Sequence, residues 1–256
     1  MMDELSRLVT NARRLVREGY YRVVDRANRA PSLVGFVEAP DRSADVIAEI
    51  KFASPSRRPV RETHDFEDIL VRIVAIKPLG LSILAEPRIF GGSLDFVRSA
   101  SRHGLPVLMK DIVVDPTQVE AAASSGASAA LVIQTLFSRG LLEGSSQDLI
   151  DAAHDEDLEV VLEVHTVREW DEAIRTDADI LGINNRDLST MEVDLRTTAN
   201  LLSSRAKDRP VIAMSGIERR GQVEALLAAG ADAVLVGTSI MTAPDPARRL
   251  RELLDG

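Results

Sequence analysis

The sequence predicts an α/β fold in which eight strand–helix units close into a barrel, because three patterns agree. The length of 256 residues suits one large hydrophobic core. Eight short apolar runs recur with helical stretches between them, as in a parallel sheet. An internal repeat relates two neighbouring units to the two that lie four units further on. Together these patterns predict a TIM (β/α)8 barrel with an N-terminal helical extension.

The predicted elements follow one another in a regular order. Apolar residues recur at helical spacing between residues 3 and 29, which predicts one or two helices ahead of the barrel, and residues 31–44 are expected to connect them to it. The predicted strands are Val46–Lys51, Leu81–Ala85, Val107–Lys110, Ala130–Ile133, Val160–Val164, Ile180–Asn184, Val211–Ser215 and Ala233–Val236. No later stretch has the composition of a linker, so we expect an extension over 1–45 and one barrel domain over 46–256.

The internal repeat becomes visible when the chain is shifted by 104 residues. The shift aligns residues 106–132 with residues 210–236 and gives 11 identities in 27 positions. An origin of the barrel from two similar halves explains this offset, whereas an open doubly wound sheet would not readily produce it.

Composition and charge exclude several classes of function. The net charge of −9 argues against a general nucleic-acid-binding surface, which needs a positive footprint. The chain has no cysteine, which excludes disulfides, thiolate metal sites and a cysteine nucleophile. No apolar run is long enough to span a bilayer and the N-terminus does not read as a signal peptide, so we expect a cytoplasmic protein with no membrane partner.

Charged and polar residues gather at the carboxyl ends of the predicted strands, which is where active sites of such barrels lie. They are Glu49, Lys51, Glu86, Lys110, Asp111, Gln134, Glu163, His165, Asn184, Asn185, Arg186, Ser215 and Thr238. Two lysines and two glutamates facing one cavity could transfer protons, although a structural ion-pair cluster would show the same pattern. For His165 a hydrogen-bonded structural role is expected over a catalytic one.

Two glycine turns predict a phosphate site. Ser215-Gly216 and Gly237-Thr238 follow the last two strands, where backbone N–H groups of such barrels commonly bind phosphate. The alternative is that these glycines only shape the turns. Ser54-Pro55-Ser56, after the first strand, could also cradle an anion. No spacing of histidines and carboxylates matches a metal site, and no glycine-rich nucleotide motif is present, so neither a metal nor a cofactor is predicted.

From about Val46 to Leu254 the chain resembles indole-3-glycerol-phosphate synthase, the barrel enzyme of tryptophan biosynthesis. Three motifs carry most of the resemblance: Ile47-Ala48-Glu49-Ile50-Lys51 with Ser54-Pro55-Ser56, Leu108-Met109-Lys110-Asp111, and Gly182-Ile183-Asn184-Asn185-Arg186-Asp187-Leu188. The resemblance implies a carboxy-lyase that converts 1-(2-carboxyphenylamino)-1-deoxyribulose 5-phosphate into indole-3-glycerol phosphate, carbon dioxide and water, without a cofactor. The implied partner is that phosphorylated small molecule, and a monomer or weak homo-oligomer is expected.

The resemblance also implies roles for individual residues. Lys110 would be the general acid, Lys51 would hold the substrate carboxylate, and Glu163, paired with Glu49, would act as base or stabilise the cationic ring. Asn184 would orient the substrate and Arg186 would brace the site. Ser54, Ser215, Gly216, Gly237 and Thr238 would hold phosphate, while Phe90, Leu131 and Leu188 would form an apolar wall.

Two positions depart from the family pattern. Met214 stands where the family usually has glutamate. The repeat aligns Met214 with Lys110, so its side chain is expected to point into the barrel. Because methionine cannot bond a sugar hydroxyl, weaker orientation of the substrate is expected. Ile112 stands where many members have an aromatic residue. Two alternatives to the family's activity are another phosphate-binding barrel, such as a sugar-phosphate isomerase or epimerase, and a non-catalytic barrel that binds a phosphorylated metabolite.

Overall fold

Eight parallel strands form a closed barrel in the computed structural model, which describes residues 3–23, 25–40, 42, 44–53 and 63–255, and only the backbone of His64. The strands are β1 Val46–Ile50, β2 Gly80–Leu84, β3 Val107–Lys110, β4 Ala129–Ile133, β5 Glu159–Val164, β6 Ile180–Asn184, β7 Val211–Met214 and β8 Ala233–Val236. Each strand pairs in parallel with the next, and β8 pairs with β1. The predicted barrel is confirmed, and every predicted strand is correct to within one residue at either end.

Helices connect the strands and precede them. They are α1 Glu4–Arg17, α2 Leu33–Glu38, α3 Phe66–Val74, α4 Leu94–Ala100, α5 Pro116–Ser124, α6 Gln134–Ser138, α7 Ser146–Asp155, α8 Val167–Ala173, α9 Arg196–Ser204, α10 Arg220–Ala228, α11 Thr238–Thr242 and α12 Pro246–Asp255. Several helices are capped at their N-terminus by a short polar side chain. Asp115, for example, accepts a hydrogen bond from the backbone N–H of Thr117 at the start of α5. No helix within the described ranges is both long and apolar enough to cross a membrane.

The internal repeat is present in the fold. Strands β3 and β7 begin 104 residues apart, as do β4 and β8, and helices α5 and α10 are related by the same offset at both ends. Lys110 and Met214 are the last residues of the equivalent strands β3 and β7. The repeat therefore predicted correctly which side chains occupy equivalent places in the barrel.

Two apolar layers surround the strands, because successive side chains of a strand point to opposite faces. Ile47, Leu108, Leu131 and Ile212 belong to the layer inside the barrel. Ala48, Ile50 and many residues of the surrounding helices belong to the outer layer. The inner layer forms a buried apolar floor beneath the polar carboxyl ends of the strands.

The N-terminal extension contacts both ends of the barrel. Near the carboxyl ends, the side chain of Asn11 in α1 donates a hydrogen bond of 2.8 Å to Glu86. At the opposite end, Glu159 at the start of β5 accepts hydrogen bonds from the hydroxyl of Ser32 and the N–H groups of Leu33 and Val34.

Residues 31–44, expected to connect the first helix to the barrel, contain the helix α2, which the sequence did not predict. Ser32 caps the helix by accepting from the N–H of Gly35, and Leu33 and Val37 are buried. At six residues, α2 is too short to produce a periodic pattern, and contacts with the barrel rather than helix propensity explain its stability.

Candidate active site

A cavity of about 370 Å³ opens at the carboxyl ends of the strands, within the size range of small-molecule sites. Twelve of the fourteen residues to which the resemblance assigns a role line it. They are Glu49, Lys51, Phe90, Lys110, Glu163, Asn184, Arg186, Leu188, Ser215, Gly216, Gly237 and Thr238. Ser54 lies outside the described residues, and Leu131 does not reach the cavity.

Lys110 and Glu163 form one charged pair on the cavity wall. The Nζ of Lys110 lies 3.3 Å from Oε2 of Glu163, and the carboxylate is only 3% exposed. The other oxygen of Glu163 accepts a hydrogen bond of 2.8 Å from the side-chain amide of Asn184. Asn184 is fixed in turn, because its Oδ1 accepts from the backbone N–H of Arg186 at 2.9 Å. The side chains of Lys110, Glu163 and Asn184 are therefore linked by a continuous set of polar contacts.

Lys51 and Glu49 form a second charged pair. The Nζ of Lys51 lies 2.6 Å from Oε1 of Glu49. Burial alone would raise the pKa of Glu49, but the ammonium groups of Lys51 and Lys110 together outweigh it and lower the pKa below its ordinary value. Gly237 makes this position possible, because a Cβ there would lie 2.2 Å from the Glu49 carboxylate. Glu49 is therefore ionised and packs against the turn that follows β8.

The two glycine turns lie on the same cavity. Ser215 and Gly216 both have left-handed backbone, with φ of 71° and 78°. A Cβ on Gly216 would lie 2.3 Å from Val193, so only glycine fits there. The carbonyl of Ser215 accepts from the side-chain amide of Asn185 at 3.3 Å, which ties this turn to the end of β6. Both turns therefore line the same cavity as the two charged pairs.

The apolar wall differs from the sequence prediction at one position. Leu131 is fully buried in the inner layer of the barrel and does not line the cavity, so its contact with substrate stays a prediction. Ile133, two residues later on the same face of β4, lines the cavity instead. Sequence reasoning also missed Leu8 of α1, because nothing in the sequence showed where that helix packs.

Three other polar residues at strand ends have structural roles. Glu86 accepts hydrogen bonds from the N–H groups of Arg88, Ile89 and Phe90, and thereby shapes the loop after β2. Gln134 bonds to Ser146 and Glu172 on neighbouring helices. His165 lies outside the cavity with its Nδ1 2.7 Å from the carbonyl oxygen of Asn184, in agreement with the structural role expected for it.

A comparison with known protein families agrees with this geometry. The family model of indole-3-glycerol phosphate synthase matches residues 5–253, which is nearly the whole chain. The chain belongs to the indole-3-glycerol phosphate synthase family. Members of this family carry out a step of tryptophan biosynthesis.

Individual relatives lead to the same conclusion. An indole-3-glycerol phosphate synthase from Methanopyrus kandleri is 40% identical over 217 residues, covering 82% of each chain. One from Polynucleobacter asymbioticus is 36% identical over 244 residues, covering 92% of this chain and 90% of the relative. Among solved structures, 3-hexulose-6-phosphate synthase from Salmonella typhimurium superposes with a TM-score of 0.63 at 17% identity, covering 82% of this chain and 96% of that chain. At that identity the likeness concerns the fold alone.

Met214 also lies in this cavity. Its side chain is 2% exposed, lines the cavity and belongs to the inner layer of the barrel. Gly182 on β6 makes room for it, since a Cβ at that position would lie 2.5 Å from the terminal methyl group of Met214. The side chain thus points inward as the repeat predicted, and it contributes an apolar surface beside the charged pairs.

A buried carboxyl group lies next to Lys110. The Oδ2 of Asp111 accepts a hydrogen bond of 2.9 Å from the hydroxyl of Tyr21, and its Oδ1 accepts one of 2.6 Å from the N–H of Ile112. Burial raises the pKa of Asp111 to about 7, even though both hydrogen bonds act in the opposite direction. Asp111 appeared among the strand-end residues, but its partner Tyr21 could not be inferred from the sequence.

The raised pKa of Asp111 predicts how stability depends on pH. In the unfolded chain this group ionises near its ordinary pKa of 3.8, whereas in the folded chain its pKa is about 7. The folded state therefore binds more protons between these values, and stability falls as the pH rises through this window. Asp111→Asn removes this titrating group. Between about pH 5 and about pH 8, the free energy of unfolding of the variant should therefore fall less than that of the wild type. Urea unfolding of both proteins at the two pH values measures the difference.

The exposed Asp155 on α7 provides the matched control. Asp155→Asn should keep the pH dependence of the wild type, because this residue is not buried. Identical pH dependence in Asp111→Asn and the wild type would contradict the assignment of Asp111 as the titrating group.

Proposed function

We propose that the cavity at the carboxyl ends of the strands is the active site in which this chain closes an indole ring. The substrate is 1-(2-carboxyphenylamino)-1-deoxyribulose 5-phosphate. The ring carbon that bears the carboxylate bonds to the ketose carbonyl carbon, carbon dioxide leaves, and water is then lost to give indole-3-glycerol phosphate. The observation that carries the proposal is the set of contacts that links Lys110, Glu163 and Asn184 inside the cavity.

Lys110 serves the first step as the general acid. It protonates the ketose oxygen as the ring carbon attacks, so that the carbonyl oxygen becomes a hydroxyl group. The ring then carries positive charge, which the side chain of Glu163 stabilises at close range. The bond between the ring and its carboxylate breaks, its electron pair restores aromaticity, and carbon dioxide departs.

The second step is the loss of water. The new hydroxyl group must accept a proton before it can leave as water. Lys51, whose Nζ lies beside Glu49, donates this proton. The proton that the ring system loses goes to one of the two buried carboxylates, Glu163 or Glu49. Neither step gains or loses electrons overall, so the reaction balances without a metal or an organic cofactor.

Both ends of the substrate are anionic, and the site offers a partner for each. The turns at Ser215-Gly216 and Gly237-Thr238, with Ser54, bind the phosphate, while Lys51 binds the carboxylate. Phe90, Leu188 and Ile133 cover the aromatic ring. Fixing a flexible ketose at both ends lowers the entropy cost of bringing the two reacting carbons together.

We further infer that the protein acts in the cytoplasm as a monomer or weak homo-oligomer, without nucleic acid or a membrane as partner. The net charge of −9 supports the exclusion of nucleic acid. Sedimentation of the purified protein at several concentrations measures the oligomeric state.

The decisive experiment follows indole fluorescence after mixing purified protein with the carboxyphenylamino ketose phosphate. Formation of indole-3-glycerol phosphate with saturable kinetics is the expected result. Binding of the substrate without any product would overturn the proposal in favour of a metabolite-binding barrel.

A further inference from the structure

Arg249 on the last helix, α12, contacts residues that directly follow the two turns proposed to bind phosphate. Its Nε donates a hydrogen bond of 3.0 Å to the hydroxyl of Ser239, and its Nη2 donates to the carbonyl oxygen of Glu218. Its Nη1 lies 2.9 Å from Glu252 one turn further along the helix. The side chain is 26% exposed, so it lies partly between the helix and the two loops.

The two groups that Arg249 joins come from different strands. Glu218 follows Ser215-Gly216 in the loop after β7, and Ser239 lies in α11, directly after Gly237-Thr238. Both residues line the cavity. Ser239 also approaches Glu218, because its hydroxyl lies 3.4 Å from the same carbonyl oxygen. One guanidinium group therefore fixes the distance between the loop after β7 and the loop after β8.

An arginine suits this task better than a lysine. The guanidinium is a rigid plane with several N–H donors at fixed angles, so it can bond three separate acceptors in one geometry. An ammonium group on a flexible stem can hold one loop but does not set the spacing of two.

We propose that Arg249 is a positioning residue for phosphate, acting by holding the two glycine turns at the spacing the phosphate group requires. This rests on the proposed function, since it takes those turns as the phosphate site. Arg249 acts through Ser239 and the Glu218 carbonyl and has no part in proton transfer. Its loss should therefore weaken the binding of phosphate and substrate and leave the chemical step nearly unchanged.

The test compares Arg249→Ala and Arg249→Lys with the wild type. Calorimetry measures the dissociation constant of inorganic phosphate, and the fluorescence assay measures kcat and KM. Arg249→Ala should raise both the phosphate dissociation constant and KM by about 10-fold, the effect of losing a charged hydrogen bond, while kcat changes by less than about 3-fold. Arg249→Lys should recover part of the phosphate affinity.

Arg248→Ala is the matched control. Arg248 is the neighbouring residue on α12 and also pairs with Glu252, at 3.1 Å, but it is 77% exposed. Its replacement should leave phosphate affinity and KM unchanged.

Three results would separate the possible failures. An unchanged phosphate dissociation constant in Arg249→Ala would overturn the inference. A fall in kcat and thermal stability with unchanged phosphate affinity would also overturn it, because the role would then be purely structural. Absence of turnover in the wild type would instead remove the proposed function. In that case, weaker phosphate binding in Arg249→Ala than in the wild type would still support the role of Arg249 in positioning the phosphate turns.

Discussion

Replacement of Lys110 by alanine is expected to lower kcat by about 10²- to 10⁴-fold, because the ketose oxygen loses its proton donor. The affinity for inorganic phosphate should stay close to that of the wild type, since phosphate is assigned to the turns after β7 and β8. Steady-state fluorescence kinetics measure the first effect and calorimetry with phosphate measures the second.

Lys207→Ala is the control for this experiment. The Nζ of Lys207 also pairs with a carboxylate, at 2.7 Å from Asp232, but it lies close to the amino end of β7. Turnover should be unchanged in this variant. Turnover at the level of the wild type in Lys110→Ala would remove Lys110 from the role of general acid.

Replacement of Glu163 by glutamine is the second change with a large expected effect. Glutamine keeps the size of the side chain and can still accept the hydrogen bond from Asn184, but it cannot balance positive charge on the ring or take a proton. We expect kcat to fall by about 10²- to 10⁴-fold, with a much smaller change in KM. Pre-steady-state mixing would show whether ring closure or dehydration becomes slow.

Glu159→Gln provides the comparison on the same strand. Glu159 stands at the amino end of β5 and accepts from the N–H groups of Leu33 and Val34, far from the proposed chemistry. Its replacement should lower the free energy of unfolding by about 1 kcal/mol and leave kcat unchanged. An equal loss of kcat in both variants would mean that Glu163 acts only by stabilising the fold.

Much of the fold and of the site was predictable because both depend on simple periodic rules. Parallel strands surrounded by helices appear as short apolar runs, and the repeat fixed how the units correspond. The carboxyl ends of all strands meet at one end of a barrel, so residues as distant in sequence as Lys51 and Glu163 could be assigned to one cavity.

The differences between prediction and structure arose where packing between elements decides the outcome. Leu131 and Ile133 lie on the same face of β4, and the sequence does not show how deep the cavity reaches. Leu8 lines the cavity, and Tyr21 bonds to Asp111, only because of where α1 and the segment after it pack. Such contacts join residues far apart in the chain and leave no local pattern.

The position of the segment that contains α1 and α2 has a consequence for how the chain unfolds. Because α1 bonds to Glu86 near one end of the barrel and α2 bonds to Glu159 at the other, detaching this segment breaks contacts at both ends. We expect this segment to open and close together with the barrel as one cooperative unit. Amide hydrogens of α1, α2 and the start of β5 should then exchange with solvent at similar rates, set by a shared opening event.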